Sequence, residues 1–400
     1  MNDSISPNYN SKQDIKDILT SISTCNLEQV QLFPSKPNGK NNVWYNMLIF
    51  GDNEVVMKKL LEEKIKGIRL VYIDPPFSTN NIFRSGKKRT STVSHSKSDE
   101  IAYNDQLTGL EYLEFLRRRI AIMHELLEKD GSFYLHIDTK IGHYVKILID
   151  GVFGKEFFVN DITRIKSNPK NFPRPAFGNI KDVIFFYSKT KKYVWNESLE
   201  DYTDKDIVKL FTKIDKEGRR YTTNPLHAPN ESNGQTGKSW KGLKPPKGRH
   251  WRYKLETLDE LDKNGLIERS STGNPRKIIY ADDFIAKKKK RQDIWSFKDK
   301  PNPVYPTQKN LDMLKMIVQT SSNENDIVLD SFVGGGSTIV AAEEEKRRWI
   351  GIDNSPKAIE VTLKRLSAIK NHQPFALYAT EEMLPKLPKA IKKLVKQQST

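Results

Sequence analysis

The sequence predicts an α/β protein: a doubly wound, mostly parallel sheet into which a polar, basic region has been inserted. Three observations carry that prediction. Short apolar runs alternate with amphipathic helical stretches over both the first and the last part of the chain. Several of these runs are β-branched and aromatic with no polar alternation, the pattern of strands buried on both faces. Between roughly residues 190 and 300 the alternation stops and turn-rich, lysine-rich sequence takes over, with no clean period. A chain of 400 residues has room for two domains, or for one large domain carrying a substantial insertion.

Taken in order, residues 1–44 are rich in Asn, Ser, Lys and Gln and read as a loosely ordered lead-in. Residues 47–50 (MLIF) form a short strand that runs out at Gly51-Asp52-Asn53. "EVVMKKLLEEKIKG" has helical periodicity and is expected to close on Gly67 as a C-cap. The run Leu70-Val71-Tyr72-Ile73 then leads into Asp74-Pro75-Pro76-Phe77. Neither proline can donate a ladder hydrogen bond, so the strand must stop there. Asp74 is thereby set at the carboxyl end of a buried strand, where open α/β sheets bind ligands. Taken alone, Asp-Pro-Pro reads first as a strand terminator, and the rest of the chain decides. The helix "EYLEFLRRRIAIMHELLEKDG", stopped by Gly131, the strand "SFYLHID", the helix "IGHYVKILIDGVFG" and the strand "VIFFYSK" complete a first half over 45–190.

The inserted region covers 191–300, and α/β order resumes over 301–375. The helix "QKNLDMLKMIVQTS" is followed by the strand "DIVLDSF", a glycine turn, the helix "STIVAAEEEK", the strand "RWIGID" and the helix "SPKAIEVTLKRLSAIK". Residues 376–400 read as a basic tail.

Composition narrows the function classes. Lys plus Arg number 67 against 50 Asp plus Glu, a formal charge of +17 that points to a polyanionic partner. The single cysteine, Cys25, rules out an internal disulfide and fits a reducing compartment. Seven scattered histidines and no Cys/His cluster argue against a structural metal. The N-terminus is polar and acidic, unlike a signal peptide, and no apolar run reaches membrane-spanning length. A cytoplasmic protein without a membrane partner is expected.

The second chemistry-bearing stretch is "DIVLDSFVGGGSTIVAAEEE". Gly334, Gly335 and Gly336 permit positive φ and close approach of backbone N–H groups to a ligand. Asp330 ends the preceding strand, and Ser337 and Thr338 are expected to cap the following helix. Asp353 ends the next strand, where a ribose hydroxyl pair is held in nucleotide-type sites. A P-loop needs a lysine where Ser337 stands, and a dinucleotide fingerprint needs glycine where Ile339 stands. An adenosine cofactor without a pyrophosphate, S-adenosylmethionine, remains, beside a purely structural tight turn.

With both stretches in view, the sequence resembles the exocyclic-amino DNA methyltransferases, which methylate adenine N6 or cytosine N4. "DPPF" is similar to their [DNS]-P-P-[YFW] motif, "DSFVGGGST" to their D-P-F-x-G-S-G-[ST]-T loop, and "YPTQKN" to their H-P-T-Q-K-P element. Catalytic motif first, variable region next and cofactor loop last is the permuted order of their β class. The resemblance covers about 45–190 and 295–370. Ser331 and Gly335 depart from the usual Pro and Ser, as do Tyr305 and Asn310 from His and Pro.

The resemblance implies a circularly permuted methyltransferase fold with S-adenosylmethionine as cofactor. It assigns catalysis to Asp74, Pro75, Pro76 and Phe77, the last stacking on a base rotated out of the duplex. Cofactor contacts fall to Thr307, Gln308, Lys309, Asp330, Phe332, Gly334, Gly336, Thr338 and Asp353, with Lys309 and the glycine turn at the methionine end. Asp52 matches an acid near the cofactor adenine, but reads equally as a helix N-cap. The region 191–300 becomes the target-recognition part. In it Arg249, His250, Trp251 and Arg252 interleave charge and aromatic rings suited to DNA, or pack the insertion. Lys287, Lys288, Lys289, Lys290 and Arg291 form either a phosphate-binding run or a solvated loop. Asp rather than Ser in the first motif position implies adenine. The implied partners are double-stranded DNA and a cognate restriction endonuclease, with the enzyme a monomer or homodimer. Cytosine-N4 methylation and a catalytically silent nucleic-acid-binding subunit are the competing readings.

Overall fold

The computed structural model describes residues 9, 12–21, 25–33, 44–76, 109–169, 173, 175–299, 303, 305 and 308–392, with the backbone of 82–86, 89–90 and 100–104. The chain divides into two compact units, one made of 1–197 with 292–400 and the other of 198–291.

The larger unit is built on a ten-stranded sheet. In chain order its strands are β1 (Leu27–Phe33), β2 (Asn46–Phe50), β3 (Ile68–Ile73), β4 (Leu127–Ile137), β5 (Phe158–Ile165), β6 (Lys181–Ser188), β7 (Ile294–Trp295), β8 (Ile327–Asp330), β9 (Arg348–Asp353) and β10 (Phe375–Thr380). Across the sheet the order is β1-β10-β2-β9-β8-β3-β4-β6-β5-β7. The six strands from β10 to β4 are mutually parallel, while β1 and β6 run antiparallel to their neighbours.

Helices cover both faces, as a parallel sheet requires. Helices α1 (Asn53–Glu62), α2 (Gly109–Leu126) and α3 (Thr139–Phe153) bury Met57, Ile120 and Val145 with Val71, Ile73 and Leu135. Helices α4 (Leu311–Ser321), α5 (Ser337–Glu344) and α6 (Pro356–Ser367) bury Ile317, Ile339 and Ile359 with Leu70, Tyr72 and Val328. Alternate residues of β3 thus enter opposite cores, which explains the unbroken apolar run.

Several local expectations are revised. The lead-in contains β1, an edge strand paired with β10, and the supposed basic tail begins inside β10 and buries Ile391. Helix α1 ends at Glu62, and Lys64 (φ 54°) takes the left-handed closing position, with Gly67 (φ 91°) three residues beyond it. The amide of Ile65 reaches back to the Leu60 carbonyl at 3.0 Å, the closure usually given to glycine. Gly131 lies within β4 instead of stopping α2, and the close backbone there calls for glycine: a Cβ would meet the Glu128 carbonyl oxygen at 2.9 Å and that of Arg69 at 3.1 Å. Among the described residues no helix is long and apolar enough to cross a membrane.

The smaller unit has a four-stranded antiparallel sheet of Lys213–Ile214, Arg220–Pro225, Pro275–Tyr280 and Ile267–Arg269. Its small core gathers Leu226, Trp240, Trp251, Leu258 and Leu261.

Candidate active site

Four adjacent parallel strands, β2, β9, β8 and β3, carry an aspartate at or just past their carboxyl ends: Asp52, Asp353, Asp330 and Asp74. Register aligns them, with Phe50 opposite Asp353 and Gly351 opposite Asp330. From β3 the order continues to β4 in one direction, and from β8 to β9 in the other. The crevice outside such a switch point is where open α/β sheets bind ligands.

Asp74 is held by Lys309, whose Nζ is 2.7 Å from Oδ2. The other oxygen, Oδ1, is buried and has no hydrogen-bond partner among the described residues. Buried acceptors are nearly always satisfied, so an orphaned carboxylate oxygen at a crevice marks a place for an incoming donor. The Tyr112 hydroxyl donates to the Pro76 carbonyl and fixes the chain beyond the second proline. Phe77 and Thr307, both assigned from the motifs, lie outside the described residues.

The glycine turn is organised from within. Asp330 is buried, accepts the Phe332 amide at 3.0 Å and engages the Thr338 side chain; burial pushes its carboxyl up to about 7. Asp353 accepts the Gly334 amide through Oδ2 and the Ser355 amide through Oδ1, both at 2.8 Å, and burial pushes it up to about 6. Gly334 and Gly336 take positive φ, 50° and 74°. A Cβ on Gly336 would come 2.6 Å from Thr362 Oγ1, so this glycine faces α6 and not open space. Thr362 donates to the Gly334 carbonyl at 3.0 Å, and Arg365 donates to that of Gly335.

The expected caps are not formed. Gly336 is the N-cap of α5 with no side-chain cap bond, while Ser337 accepts from Arg365 and Thr338 turns to Asp330. Without a side-chain cap, the first turn of α5 keeps amide donors at the crevice edge.

Asp52 is the N-cap of α1, accepting from the Glu54 and Val55 amides, and also pairs with Arg119 at 3.1 Å. Arg119 lies over the Phe115 ring at 3.7 Å, and Phe115 meets half-buried Phe332 edge-on. Gln308 gives its amide to the Tyr305 carbonyl at 3.1 Å. Tyr112, Arg119, Thr362 and Arg365 were not singled out from the sequence as site residues. On their helices they read as ordinary amphipathic positions, and no local signal marks them.

The smaller unit revises the DNA assignments. Trp251 is 1% exposed, packs edge-on against Trp240 and donates its indole N–H to the Lys238 carbonyl. It is a core residue. Arg249 and Arg252 are exposed and donate to His227 Nδ1 and the His227 carbonyl, while His250 engages the Asn230 carbonyl. The basic run is neither a bare phosphate stripe nor a free loop. Lys289 and Lys290 pair as a strand with Leu199–Glu200. Lys288 pairs with Asp201, Lys289 with Glu200 and Asp206, and Arg291 with Glu200. Lys287 and Lys290 are exposed.

The doubly wound sheet thus brings the glycine turn, Asp353 and the Asp74-Pro75-Pro76 strand end together at its switch point. Residues 68–364 match the N6/N4 DNA methylase family. The chain is 40% identical to the type II methyltransferase M.EcaI of Enterobacter cloacae, covering 80% of this chain and 69% of that one. It is 32% identical to the type II methyltransferase M2.DpnII of Streptococcus pneumoniae, over 78% and 87% of the two chains. With the type III EcoP15I Mod subunit of Escherichia coli it shares 26% identity over 62% of its own length, spanning only 38% of that subunit. The chain belongs to the N6/N4 DNA methylase family: it is an exocyclic-amino DNA methyltransferase of the restriction–modification type.

Proposed function

We propose that the chain transfers a methyl group from S-adenosylmethionine to the N6 amino group of adenine in double-stranded DNA, as the modification partner of a cognate restriction endonuclease. The observation that supports this most is the buried, unpartnered Oδ1 of Asp74 at the sheet's switch point. The residues fit the cofactor. Asp353 holds the turn's backbone amides on both oxygens and, with about four lone-pair sites, keeps capacity for a ribose hydroxyl. Phe332 lines the crevice and the uncapped turn of α5 offers donors; Asp330 and Thr338 shape the loop from behind.

When bound, S-adenosylmethionine supplies an electrophilic methyl group on a sulfonium. An aromatic amino nitrogen is a poor nucleophile because its lone pair is delocalised into the ring. Asp74 Oδ1 accepts one N–H and the Pro75 carbonyl the other, drawing the nitrogen towards tetrahedral geometry and localising the pair. Bound S-adenosylmethionine would supply that methyl and keep the S–C bonding electrons as a neutral thioether, and the nitrogen that took it up would release its surplus proton to water. Both acceptors strengthen as positive charge grows on nitrogen, so they act mainly on the transition state. Phe77 offers a face for the extruded base, and Arg249, Arg252 and Lys287 are exposed cations suited to phosphate contact.

Incubating unmodified DNA with the enzyme and cofactor, then analysing the nucleosides by mass spectrometry, tests the reading. N6-methyladenine is expected, and Asp74→Ala should remove it while cofactor and DNA binding persist. N4-methylcytosine would replace the adenine assignment, and an active Asp74→Ala would leave the acid as a strand terminator.

A further inference from the structure

We propose that Lys309 is a positioning residue for Asp74, clamping one carboxylate oxygen so that the other faces the target amine, and is not a ligand of the cofactor's methionine end. The proposal rests on the reading of Asp74 as the amino-group acceptor.

The two side chains are mostly out of water, 9% and 18% exposed, and meet at 2.7 Å through Oδ2 alone. A charge-assisted bond of this length is among the stronger contacts a side chain makes. Its chemical effect is asymmetry. The terminal torsion of an aspartate is broad and nearly two-fold, so a free carboxylate presents either oxygen over a wide arc. With Oδ2 held by an ammonium, Oδ1 is left as the unpartnered oxygen and its direction is set before the base arrives. Ordering that torsion beforehand removes a loss that would otherwise fall on the transition state.

The seat of Lys309 is itself built. The next residue, Asn310, is the N-cap of α4, accepts the Met313 amide at 3.1 Å and donates to the Lys298 carbonyl at 3.0 Å. The backbone that launches the lysine is therefore fixed on both sides. A buried polar ladder runs through the neighbouring strands: the Tyr72 hydroxyl meets His136 Nδ1 at 2.8 Å, and His136 Nε2 meets Asp182 Oδ2 at 3.2 Å. Asp182 also holds Lys166 at 2.6 Å and Arg164 at 3.5 Å. Although burial alone would raise Asp182, the His136 bond and the charges of Lys309 and Lys166 keep its carboxyl well below the usual range. Burial first, and the Lys309 charge with it, push His136 down against the Asp182 bond that raises it. Lys309 thus faces two acids, Asp74 in contact and Asp182 through the field.

Two variants test the assignment, each checked by thermal melting to be folded. For Lys309→Met, calorimetry without DNA should give S-adenosylmethionine affinity within about twofold of wild type, whereas kcat falls roughly 100-fold with KM for DNA little changed, the scale of a misplaced catalytic group. Lys309→Arg, which keeps a cation within reach of Oδ2, should recover at least about a tenth of the lost rate. Target-base extrusion, read from 2-aminopurine fluorescence, should be unchanged in both. A tenfold or greater loss of cofactor affinity with kcat preserved would make Lys309 a cofactor ligand and overturn the proposal. Equal failure of the Met and Arg variants would overturn it as well. Full turnover by Asp74→Ala would instead remove the reading beneath it, an outcome seen independently of any Lys309 variant.

Discussion

Replacing Asp353 with Asn or Ala probes the cofactor end of the site through two opposed pH effects. Its carboxylate holds two backbone amides at 2.8 Å, one per oxygen, and in the proposed complex adds two ribose hydroxyls. Hydrogen bonds to a charged group contribute about 1.5–3 kcal/mol, so losing the ribose contacts should weaken S-adenosylmethionine by roughly 10- to 150-fold. Asp353→Ala also strands two amides of the turn, while Asp353→Asn keeps one acceptor and isolates more of the cofactor term.

The sign of the pH dependence follows from the direction of the shift. Burial raises the folded-state value of Asp353 from 3.8 to about 6, so the fold without cofactor favours the protonated acid. Its contribution to stability is complete below the unfolded value and is lost as pH rises through about 6. Asp330, raised to about 7 by burial and then by the Asp74 and Asp353 charges, acts in the same direction. Ribose hydroxyls, however, donate to the ionised carboxylate. Cofactor affinity should therefore fall as pH drops below about 6, and the rise in melting temperature on adding cofactor should grow between pH 5 and 8. Calorimetry and melting across that range measure both. A wild-type affinity flat from pH 5 to 8, or an Asp353→Asn affinity within twofold of wild type, would refute the ribose assignment.

Other outcomes separate packing from contact. Trp251→Ala should remove about 3–5 kcal/mol from the 198–291 unit by opening a cavity beside Trp240, seen as early loss of hydrogen-exchange protection there; intact protection with lost DNA binding would return Trp251 to the DNA face. Neutralising Lys287 should flatten the salt dependence of DNA binding by up to about one phosphate contact. Neutralising Lys288, Lys289 and Arg291 should change it less, since their charges face Asp201, Glu200 and Asp206; the opposite ranking would refute the pairing argument. Phe77→Ala should lose a stacking contact of about 1–3 kcal/mol and slow methylation while DNA affinity holds, with Phe77→Trp active. Normal turnover alongside a large drop in melting temperature would place Phe77 in the core instead.

The position of Asp74 was legible because two covalent facts fix it: an apolar run long enough for one buried strand, and prolines that cannot extend it. Asp330 and Asp353 were legible for the same reason, each ending a short run before a turn or a cap. What local sequence does not encode is which partner a side chain meets across the fold. Ser337 and Thr338 have the chemistry of caps, yet Arg365 and Asp330, on elements distant in sequence, claim their hydroxyls. Trp251 sits among Arg249, His250 and Arg252, so its neighbours suggested nucleic acid while its pairing with His227 turned it inward. The basic run looked unpartnered because Glu200, Asp201 and Asp206 lie at the far end of the insertion's sequence. Strand β1 was missed because an edge strand is only half buried, and its pattern merges with the polar stretch around it.

The departures from the family pattern yield to the same reasoning, because two of them meet in space. Gly335 stands where the motif usually has Ser, and Tyr305 where it usually has His. A Cβ on Gly335 would lie 2.8 Å from Tyr305 Cβ and 3.3 Å from its Cγ, so residue 305 approaches the turn too closely for any side chain at 335. Tyr305 is only 4% exposed, packs with Ala358 and bonds the Ser355 side chain, which anchors it against α6 beside the turn. The glycine therefore follows from the tyrosine's position. Gly334 and Gly336, kept from the pattern, answer a different requirement, the positive φ values that bring the Gly334 amide to Asp353 and start α5 without a side-chain cap. Tyr305 thus supports the turn from behind, while the Gly334 amide and the Asp353 carboxylate meet on its other side.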